Sequence, residues 1–341
     1  MKKKALSFLC VFLSLVMLVG CSKAPAPQSG DQTEGGTEGE WKFERPIEIV
    51  CPWGVGGGAD STIRPMADLL TDILGVQVNV VNVEGAGGAA GVEYTYQQPA
   101  DGYTFMLGTQ SLILVDLQDI MSMDFRDEFI PVAKLVHSIN IIAASAKASA
   151  GKYSTFSEMI EYVKEHPNEV SCGMLSATGA DAMGLRQAIR GLAIKEVPFG
   201  SGSEMNAALA GGHLHLMITG TDEIAGLIAS GDIIPLLALS EKRMKKYPGL
   251  ECSGELGIDS YIGTWRGIFA KKGTPQGAID ALVAAIEEAV QTDTWQEFLV
   301  NAVYAEREGY ANPENFKKLF LKEYEELGAY LESQGALKKR Y

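Results

Sequence analysis

Two glycine-rich turns, each following a short apolar run, constrain this chain more than any other feature. The first turn covers residues 54–60 after the run 47–51, and the second covers 85–91 after the run 76–83. Glycine lets backbone N–H groups approach a ligand closely, and a helix that starts at the turn adds partial positive charge. Two such turns on neighbouring strands would converge on one small anion. The sequence therefore predicts a site for a carboxylate.

The rest of the chain predicts an α/β fold with two lobes. Short apolar runs alternate with helical periodicity, as in parallel, doubly wound sheets. The alternation restarts after the apolar stretch 132–144, and a strand at 266–270 returns to the first lobe. We expect parallel-rich sheets and two hinge crossings, the arrangement of a binding protein that closes about a hinge. Residues 43–142 plus 266–341 form the predicted lobe 1, and residues 143–265 form lobe 2.

The N-terminus predicts export. Lys2, Lys3 and Lys4 precede an apolar segment, 5–19, that is too short to span a bilayer comfortably. The following Leu18-Val19-Gly20-Cys21 resembles the lipobox of bacterial lipoproteins. This resemblance implies a signal peptide over residues 1–20, cleavage before Cys21 and a lipid on its sulfur. The alternative is an ordinary signal peptide with a chance cysteine.

The segment that follows the signal peptide has the composition of a tether. Residues 22–40 are rich in Pro, Gly, Ser, Thr and Glu, so they cannot bury enough apolar surface to offset their ordering entropy. We interpret 21–42 as a flexible, lipid-anchored linker. The protein would then sit on the outer face of the cell membrane or on its periplasmic side.

The charge of the chain excludes some partners. The net charge is −14, and loss of the signal peptide removes three lysines and no acidic residue, which leaves −17. Such acidity argues against nucleic acid as a partner. It is compatible with an anionic ligand, because oriented amides act at contact range and surface charge is screened over about 8 Å.

Six segments together resemble one known family, the extracytoplasmic solute receptors of the tripartite tricarboxylate transporter system, also called Bug receptors. They occur in family order over nearly all of the folded part: PWGVGGGAD (52–60), NVEGAGG (82–88), DGYT (101–104), DEFIPV (127–132), VPFGS (197–201) and Gly-Thr-Pro (273–275). The resemblance implies a type II, periplasmic-binding-protein-like Venus-flytrap fold. In that fold the first two βα loops hold a ligand carboxylate with backbone amides and ordered water.

Carried over position by position, the resemblance implies a set of ligand-binding residues in each lobe. In lobe 1 they are Val55, Gly56, Gly57, Gly58, Ala59, Asp60, Gly85, Ala86, Gly87 and Gly88. In lobe 2 they are Ser176, Thr178, Gly179, Asp181, Phe199, Ser201, Ser203, Thr219 and Asp222. The family commonly has His and Tyr where this chain has Glu196 and Phe199, so the ligand could be a tricarboxylate, a dicarboxylate, an amino acid or an aromatic acid.

The implied function is capture of a small carboxylate-bearing metabolite for a secondary transporter. The partners would be the large and small membrane subunits of that transporter. We expect a monomer with no catalytic residue, cofactor or metal. Other partners stay open, since a receptor of this kind could serve an ATP-driven permease or a sensor kinase.

A cleft enzyme that uses a nucleotide or NAD is the alternative from another class. Residues 54–59 also fit the dinucleotide pattern G-x-G-x-x-A. Against it stand Pro52 and Trp53 before the glycines, a second glycine turn and export from the cytoplasm. A metal pair at His213 and His215 is conceivable on one side of a strand, but no third ligand is evident nearby.

Two charged residues have open roles in the sequence. Asp60 could hydrogen-bond a ligand amine or hydroxyl, or it could cap the first helix, with Ser61 as a second cap candidate. Arg266 falls at the predicted second hinge, where it could bridge the lobes, reach the ligand or form a structural ion pair.

Overall fold

The computed structural model describes residues 41–177 and 179–339. These residues form two five-stranded sheets. The strands are β1 Ile47–Cys51, β2 Val78–Asn82, β3 Thr104–Gly108, β4 Phe129–His137, β5 Asn140–Ser145, β6 Ser171–Met174, β7 Lys195–Pro198, β8 Leu216–Gly220, β9 Ile233–Ala238 and β10 Trp265–Lys271.

Helices cover the faces of both sheets. They are α1 Gly58–Leu74, α2 Ala89–Gln97, α3 Gln110–Leu117, α4 Phe125–Glu128, α5 Phe156–Glu165, α6 Ala180–Ile189, α7 Gly202–Gly211, α8 Thr221–Ser230, α9 Gln276–Ala289, α10 Asp293–Asn301 and α11 Pro313–Ser333. Short 3₁₀ helices lie at Ala86–Gly88 and Tyr304–Glu306. No helix in the described ranges is long and apolar enough to cross a membrane.

The two sheets confirm the predicted two-lobe α/β fold. The first has the order β2-β1-β3-β10-β4, and the second has the order β7-β6-β8-β5-β9. Each is mixed, because β10 runs antiparallel to β3 and β4, and β5 runs antiparallel to β8 and β9. We call the first sheet and its helices the first lobe, and the second sheet with α5–α8 the second lobe.

Helix α1 shows how the pattern of apolar residues places a helix on its sheet. Ile63, Met66 and Leu70 recur at three- and four-residue spacing, and all three are fully buried. Gly75 ends the helix in the left-handed conformation, as predicted. The predicted start was wrong: the N-cap is Gly57, so Asp60 lies in the first turn.

Other helix ends depend on polar caps that the sequence did predict. Thr155 and Glu158 form a reciprocal capping box at the start of α5. Ser201 caps α7, and Gly212 ends that helix in the left-handed conformation. Asn312 caps α11, with Pro313 as its first residue. Pro275 is the N-cap of α9.

Four helices were not predicted from the sequence: α3, α4, α8 and α10. Nearly every side chain of α3 is buried, so its sequence is apolar on all sides and shows no helical periodicity. Helix α4 has only four residues, which is too short to produce a pattern. Both lie between β3 and β4, where they help to cover the first sheet.

The chain crosses between the lobes twice, and the two crossings run side by side. The first lies between β4 and β5, and the second precedes β10. They are joined where Ser138 N donates to Thr264 O at 2.9 Å and Asn140 N donates to Ile262 O at 3.0 Å. The predicted pair of hinge crossings is therefore present, and the crossings are hydrogen-bonded to each other.

Candidate functional site

The two glycine turns lie side by side at one edge of the first sheet. Strand β1 pairs in parallel with β2, and Cys51 at its end lies opposite Asn82. The Asn82 side chain spans the two turns, because Nδ2 donates to Trp53 O and to Asp60 Oδ1, each at 2.9 Å. The convergence that the sequence predicts is thus present in the fold.

The first turn carries a carboxylate whose hydrogen bonds are satisfied within the protein. Asp60 is 3% exposed, and Oδ2 accepts from Gly56 N at 2.9 Å and from Arg64 Nε at 3.0 Å. Arg64 Nη2 also lies 2.6 Å from Oδ1. Burial alone raises the pKa of Asp60, but the bonds from Arg64, Gly56 and Asn82 outweigh it and lower that pKa. Asp60 therefore holds the turn in shape as an ionised group.

The second turn needs glycine for its backbone. Gly85, Gly87 and Gly88 all have positive φ, and Gly88 is also tightly packed against its neighbours. A Cβ at Gly88 would lie 2.7 Å from Leu112 Cδ2, which belongs to the buried core. The turn thus presents backbone rather than side chains at the sheet edge.

The second lobe contributes the starts of three helices at the corresponding edge of its own sheet. Gly179, Ser201 and Gly220 are the N-caps of α6, α7 and α8. Ser201 Oγ accepts from Glu204 N at 3.3 Å, so it is committed to its own helix. Ligands of open α/β folds bind outside such carboxyl ends of strands.

Asp181, in the first turn of α6, is bound to one neutral partner. Asn140, the first residue of β5, donates from Nδ2 to Asp181 Oδ1 at 2.6 Å. Burial, with the nearby charge of Glu223 adding to it, raises the pKa of Asp181 to about 7. This carboxyl group can therefore gain or lose a proton near neutral pH.

Glu223 is the side chain on which both lobes converge. Thr219 Oγ1 donates to its Oε2 at 3.0 Å, and Arg266 Nη2 lies 3.2 Å from its Oε1. A Cβ at Gly58 would lie 2.7 Å from Oε1, and one at Gly202 would lie 3.2 Å from Oε2. The carboxylate of Glu223 thus lies at the N-terminal ends of α1 and α7, which belong to different lobes.

A buried ion pair lies beside Glu223 and joins the lobes. Arg266, from β10, is 3.1 Å from Asp222 Oδ2, and both side chains are 3% exposed. Tyr304 also donates to Asp222 Oδ2, at 2.8 Å, and Thr62 Oγ1 lies 3.0 Å from the Tyr304 hydroxyl. Burial lowers the pKa of Arg266, but the charges of Asp222, Tyr304 and Glu223 outweigh it and raise that pKa. The predicted ion pair of Arg266 is therefore present, and it also bridges the lobes.

The other predicted contacts are more scattered. Val55 is 74% exposed, and Ser176 and Ser203 are exposed in the second lobe. Phe199 is half-buried and packs against a core cluster of the second lobe. Thr178, Cys21 and the predicted signal peptide lie outside the described residues. None of these contacts has a ligand to test it, so each stays a prediction.

Glu196, one of the departures from the family pattern, is engaged by a neighbouring arginine. Arg186 donates from Nε and Nη2 to the two carboxylate oxygens of Glu196, and from Nη1 to the Tyr330 hydroxyl at 2.8 Å. Because Tyr330 belongs to α11, this is a second polar link between the lobes. The His215 ring, considered above for a metal, instead lies 3.0 Å from Ser171 Oγ.

A family model decides the relationship that the sequence suggested. The model described as tripartite tricarboxylate transporter family receptor matches residues 62–334. The chain belongs to this family. Members are solute receptors, so the resemblance drawn from the six segments is confirmed.

Individual members of the receptor family agree with this assignment. Protein BugT of Bordetella pertussis is 30% identical over 255 residues, which cover 73% of this chain and 77% of BugT. The solved structure of the periplasmic binding protein BugD is 25% identical, with a TM-score of 0.75, and covers 87% of this chain and all of BugD (100%). A structure from R. palustris with adipate has a TM-score of 0.77 at 23% identity, and covers 86% of this chain and 98% of that one. At that identity it supports the fold alone.

In this receptor, sequence reasoning missed four residues of the candidate site. They are Asn82, Asn140, Glu223 and Tyr304. Asn82 and Glu223 carry a local signal, because one ends a strand before a glycine turn and the other follows Asp222 directly. Asn140 and Tyr304 carry none, since only the tertiary fold brings them to the cleft.

Proposed function

We propose that this chain is an exported lipoprotein, anchored through Cys21, that binds a small carboxylate-bearing metabolite between its lobes. It delivers the ligand to the large and small membrane subunits of a tripartite tricarboxylate-type transporter. It acts as a monomer and as a receptor, not as an enzyme. The lobes divide at the boundaries given above, and the ligand contacts are the glycine turns and the helix starts facing them.

The observation that carries this proposal is the convergence of helix N-termini from both lobes. Glu223 lies at the starts of α1 and α7, and Asn82 holds the two glycine turns together. A site of this kind can hold an anion without a dedicated cation, because helix starts leave amide groups unpaired. The R. palustris protein of the same fold is solved with adipate, a dicarboxylate, so the fold can accommodate a ligand of this class.

The magnitudes agree with useful affinity. One helix N-terminus contributes about 0.3–1 kcal/mol when exposed and up to ~2 kcal/mol when partly buried. Hydrogen bonds to a charged group contribute roughly 1.5–3 kcal/mol each. Two helix starts and three such bonds together contribute roughly 5–13 kcal/mol before the cost of association, so a micromolar Kd, at about −8 kcal/mol, needs the upper part of that range.

A charge placed in the first turn tests the proposed site. Val55 is exposed in that turn, so Val55→Glu adds an anion beside the proposed carboxylate position without disturbing the core. We expect affinity to fall by ~10-fold or more in calorimetric titrations of the mature protein with a panel of mono-, di- and tricarboxylates and amino acids.

A matched variant controls for charge alone. Val300 is also exposed, on α10, so Val300→Glu changes the net charge equally and should bind like the parent. Equal affinity of both variants would show that the first turn is not in the site. Stabilisation by NAD but by no carboxylate would favour the cleft enzyme instead.

A further inference from the structure

The facing edges of the two lobes hold more negative than positive side chains. Besides Glu84 and Glu204, whose side chains are exposed, the described acidic groups are Asp60, Asp181, Asp222 and Glu223, with Arg64 and Arg266 as cations. Arg64 pairs with Asp60, and Arg266 is shared by Asp222 and Glu223. For Asp181 the described part of the chain provides no ion-pair partner. The excess of negative charge therefore lies in the second lobe, near α6 and α8.

Hydrogen-bond acceptors without donors lie at the same place. Asn140 is 1% exposed, and its Oδ1 has no partner among the described residues, while Nδ2 is held by Asp181. Oδ1 of the buried Asp222 likewise lacks a partner in the described ranges. Buried acceptors are normally satisfied, so these two oxygens retain the capacity to accept a hydrogen bond from an N–H or O–H group.

These groups are neighbours through the second sheet. Asn140 pairs with Gly220 in the β5–β8 register, and Gly220 is the N-cap of α8, which carries Asp222 and Glu223 in its first turn. Asp181 is attached to the same point through Asn140. Acceptor atoms of Asp181, Asn140 and Glu223 therefore surround the start of α8.

We infer that Asp181, Asn140 and Glu223 form a half-site for a positively charged N–H group. The ligand then carries both a carboxylate and an ammonium group, as an amino acid does, and is not a simple di- or tricarboxylate. This inference rests on the proposed function, since the glycine turns of the first lobe are to hold the carboxylate. A second ligand carboxylate at this half-site would meet the carboxyl group of Asp181 at close range, and ionised Asp181 would repel it.

The pH dependence of binding should show whether this half-site prefers a positive or a negative ligand group. An ammonium binds more tightly when Asp181 is ionised, so affinity should rise as the pH passes upward through about 7. A second ligand carboxylate would show the opposite trend. The groups that face Asp181 are Asn140, Glu223 and the buried Cys172 thiol.

Matched ligand pairs test the inference on the mature protein. Calorimetry would compare succinate with aspartate, glutarate with glutamate and propionate with alanine, with citrate added as a tricarboxylate. Each aminated member of a pair that fits the cleft should bind at least ~10-fold more tightly than its partner.

Two variants locate the effect. Asp181→Asn and Glu223→Gln should each reduce that preference to roughly threefold or less, while both keep a cooperative thermal transition. Glu326→Gln, which removes an exposed carboxylate of α11, should leave it unchanged. Because Glu223→Gln also alters the contact with Arg266, Asp181→Asn serves as an independent check.

The possible outcomes separate the two proposals. Tighter binding of the non-aminated members, or of citrate, would overturn this inference and keep the proposed function. A preference for aminated ligands that survives both substitutions would overturn the assignment of these residues. Binding of none of the carboxylates would overturn the proposed function, and this inference with it.

Discussion

The two halves of the cleft are built on different principles. In the first lobe, the glycines leave main-chain atoms exposed in both turns, and the carboxylate of Asp60 accepts hydrogen bonds from Gly56, Arg64 and Asn82. In the second lobe, Asp181 has no ion-pair partner among the described residues, and Asn140 Oδ1 has no hydrogen-bond partner among them. Under the proposed function, the backbone site of the first lobe would recognise a group common to many ligands, whereas side chains of the second lobe would recognise the remainder.

The largest expected effect comes from the ion pair that joins the halves. Arg266→Met leaves Asp222 and Glu223 buried without their cation, so the free energy of unfolding should fall by about 3–5 kcal/mol. Urea titration measures this change. Arg243→Met, which breaks an exposed pair with Glu255, should cost about 0–1 kcal/mol. Similar losses in the two variants would show that the buried ion pair of Arg266 stabilises the protein no more than an exposed ion pair does.

The next effect concerns the backbone of the first half. Gly88→Ala forces a left-handed residue against Leu112, and we expect a loss of about 2–4 kcal/mol in stability together with weaker ligand binding. Gly75→Ala is the control, since it also has positive φ but no atom lies within 4 Å of its Cβ, and it should cost about 1 kcal/mol. Equal costs measured by thermal unfolding would contradict close packing of the second turn.

The third prediction concerns Asp181 in the second half. Because its folded pKa of about 7 lies above the unfolded value of about 3.9, its ionisation makes the unliganded protein less stable as the pH rises from ~4 to ~7. Asp181→Asn should therefore be more stable than the parent at pH 8, by roughly 1–3 kcal/mol, and equally stable near pH 4. Thermal unfolding from pH 4 to pH 8 measures the difference. A gap that does not change with pH would contradict the raised pKa.

The smallest effect separates a helix cap from a ligand contact. Ser201→Ala removes the acceptor for Glu204 N, so stability should fall by about 0.5–2 kcal/mol. The neighbouring Ser203→Ala should change stability by less than about 0.5 kcal/mol. If Ser201→Ala weakens ligand binding without lowering the melting temperature, its oxygen serves the ligand and not the helix.

How far the sequence predicted this molecule depended on whether the signal was local. The apolar stripe of α1 and the glycines at 54–58 and 85–88 report their own surroundings, so the fold and the convergence of the two turns followed from them. The helix cap predicted at Asp60 was wrong, because a carboxylate in the first turn can accept a hydrogen bond from the backbone just ahead of the helix as readily as one at the N-cap.

The rest of the candidate site depends on contacts between distant parts of the chain. Tyr304 and Thr62 are 242 residues apart, yet they share one hydrogen bond in the cluster around Arg266. In the sequence, Asn140 is a single polar residue within an apolar stretch. Its place in the candidate site follows only from the pairing of β5 with β8. The tertiary fold decides which carboxylate is left without a cation, and no short motif encodes this property.

Separation of the two lobes would also change the hydration of the cluster around Arg266. Arg266 and Tyr304 are each 2% exposed, and their partners come from both sides of the cleft. Swinging the lobes apart at this point would admit water to a guanidinium, a phenol and a carboxylate at once. If uptake of a metabolite requires this opening, rapid-mixing kinetics should register association well below the diffusional limit.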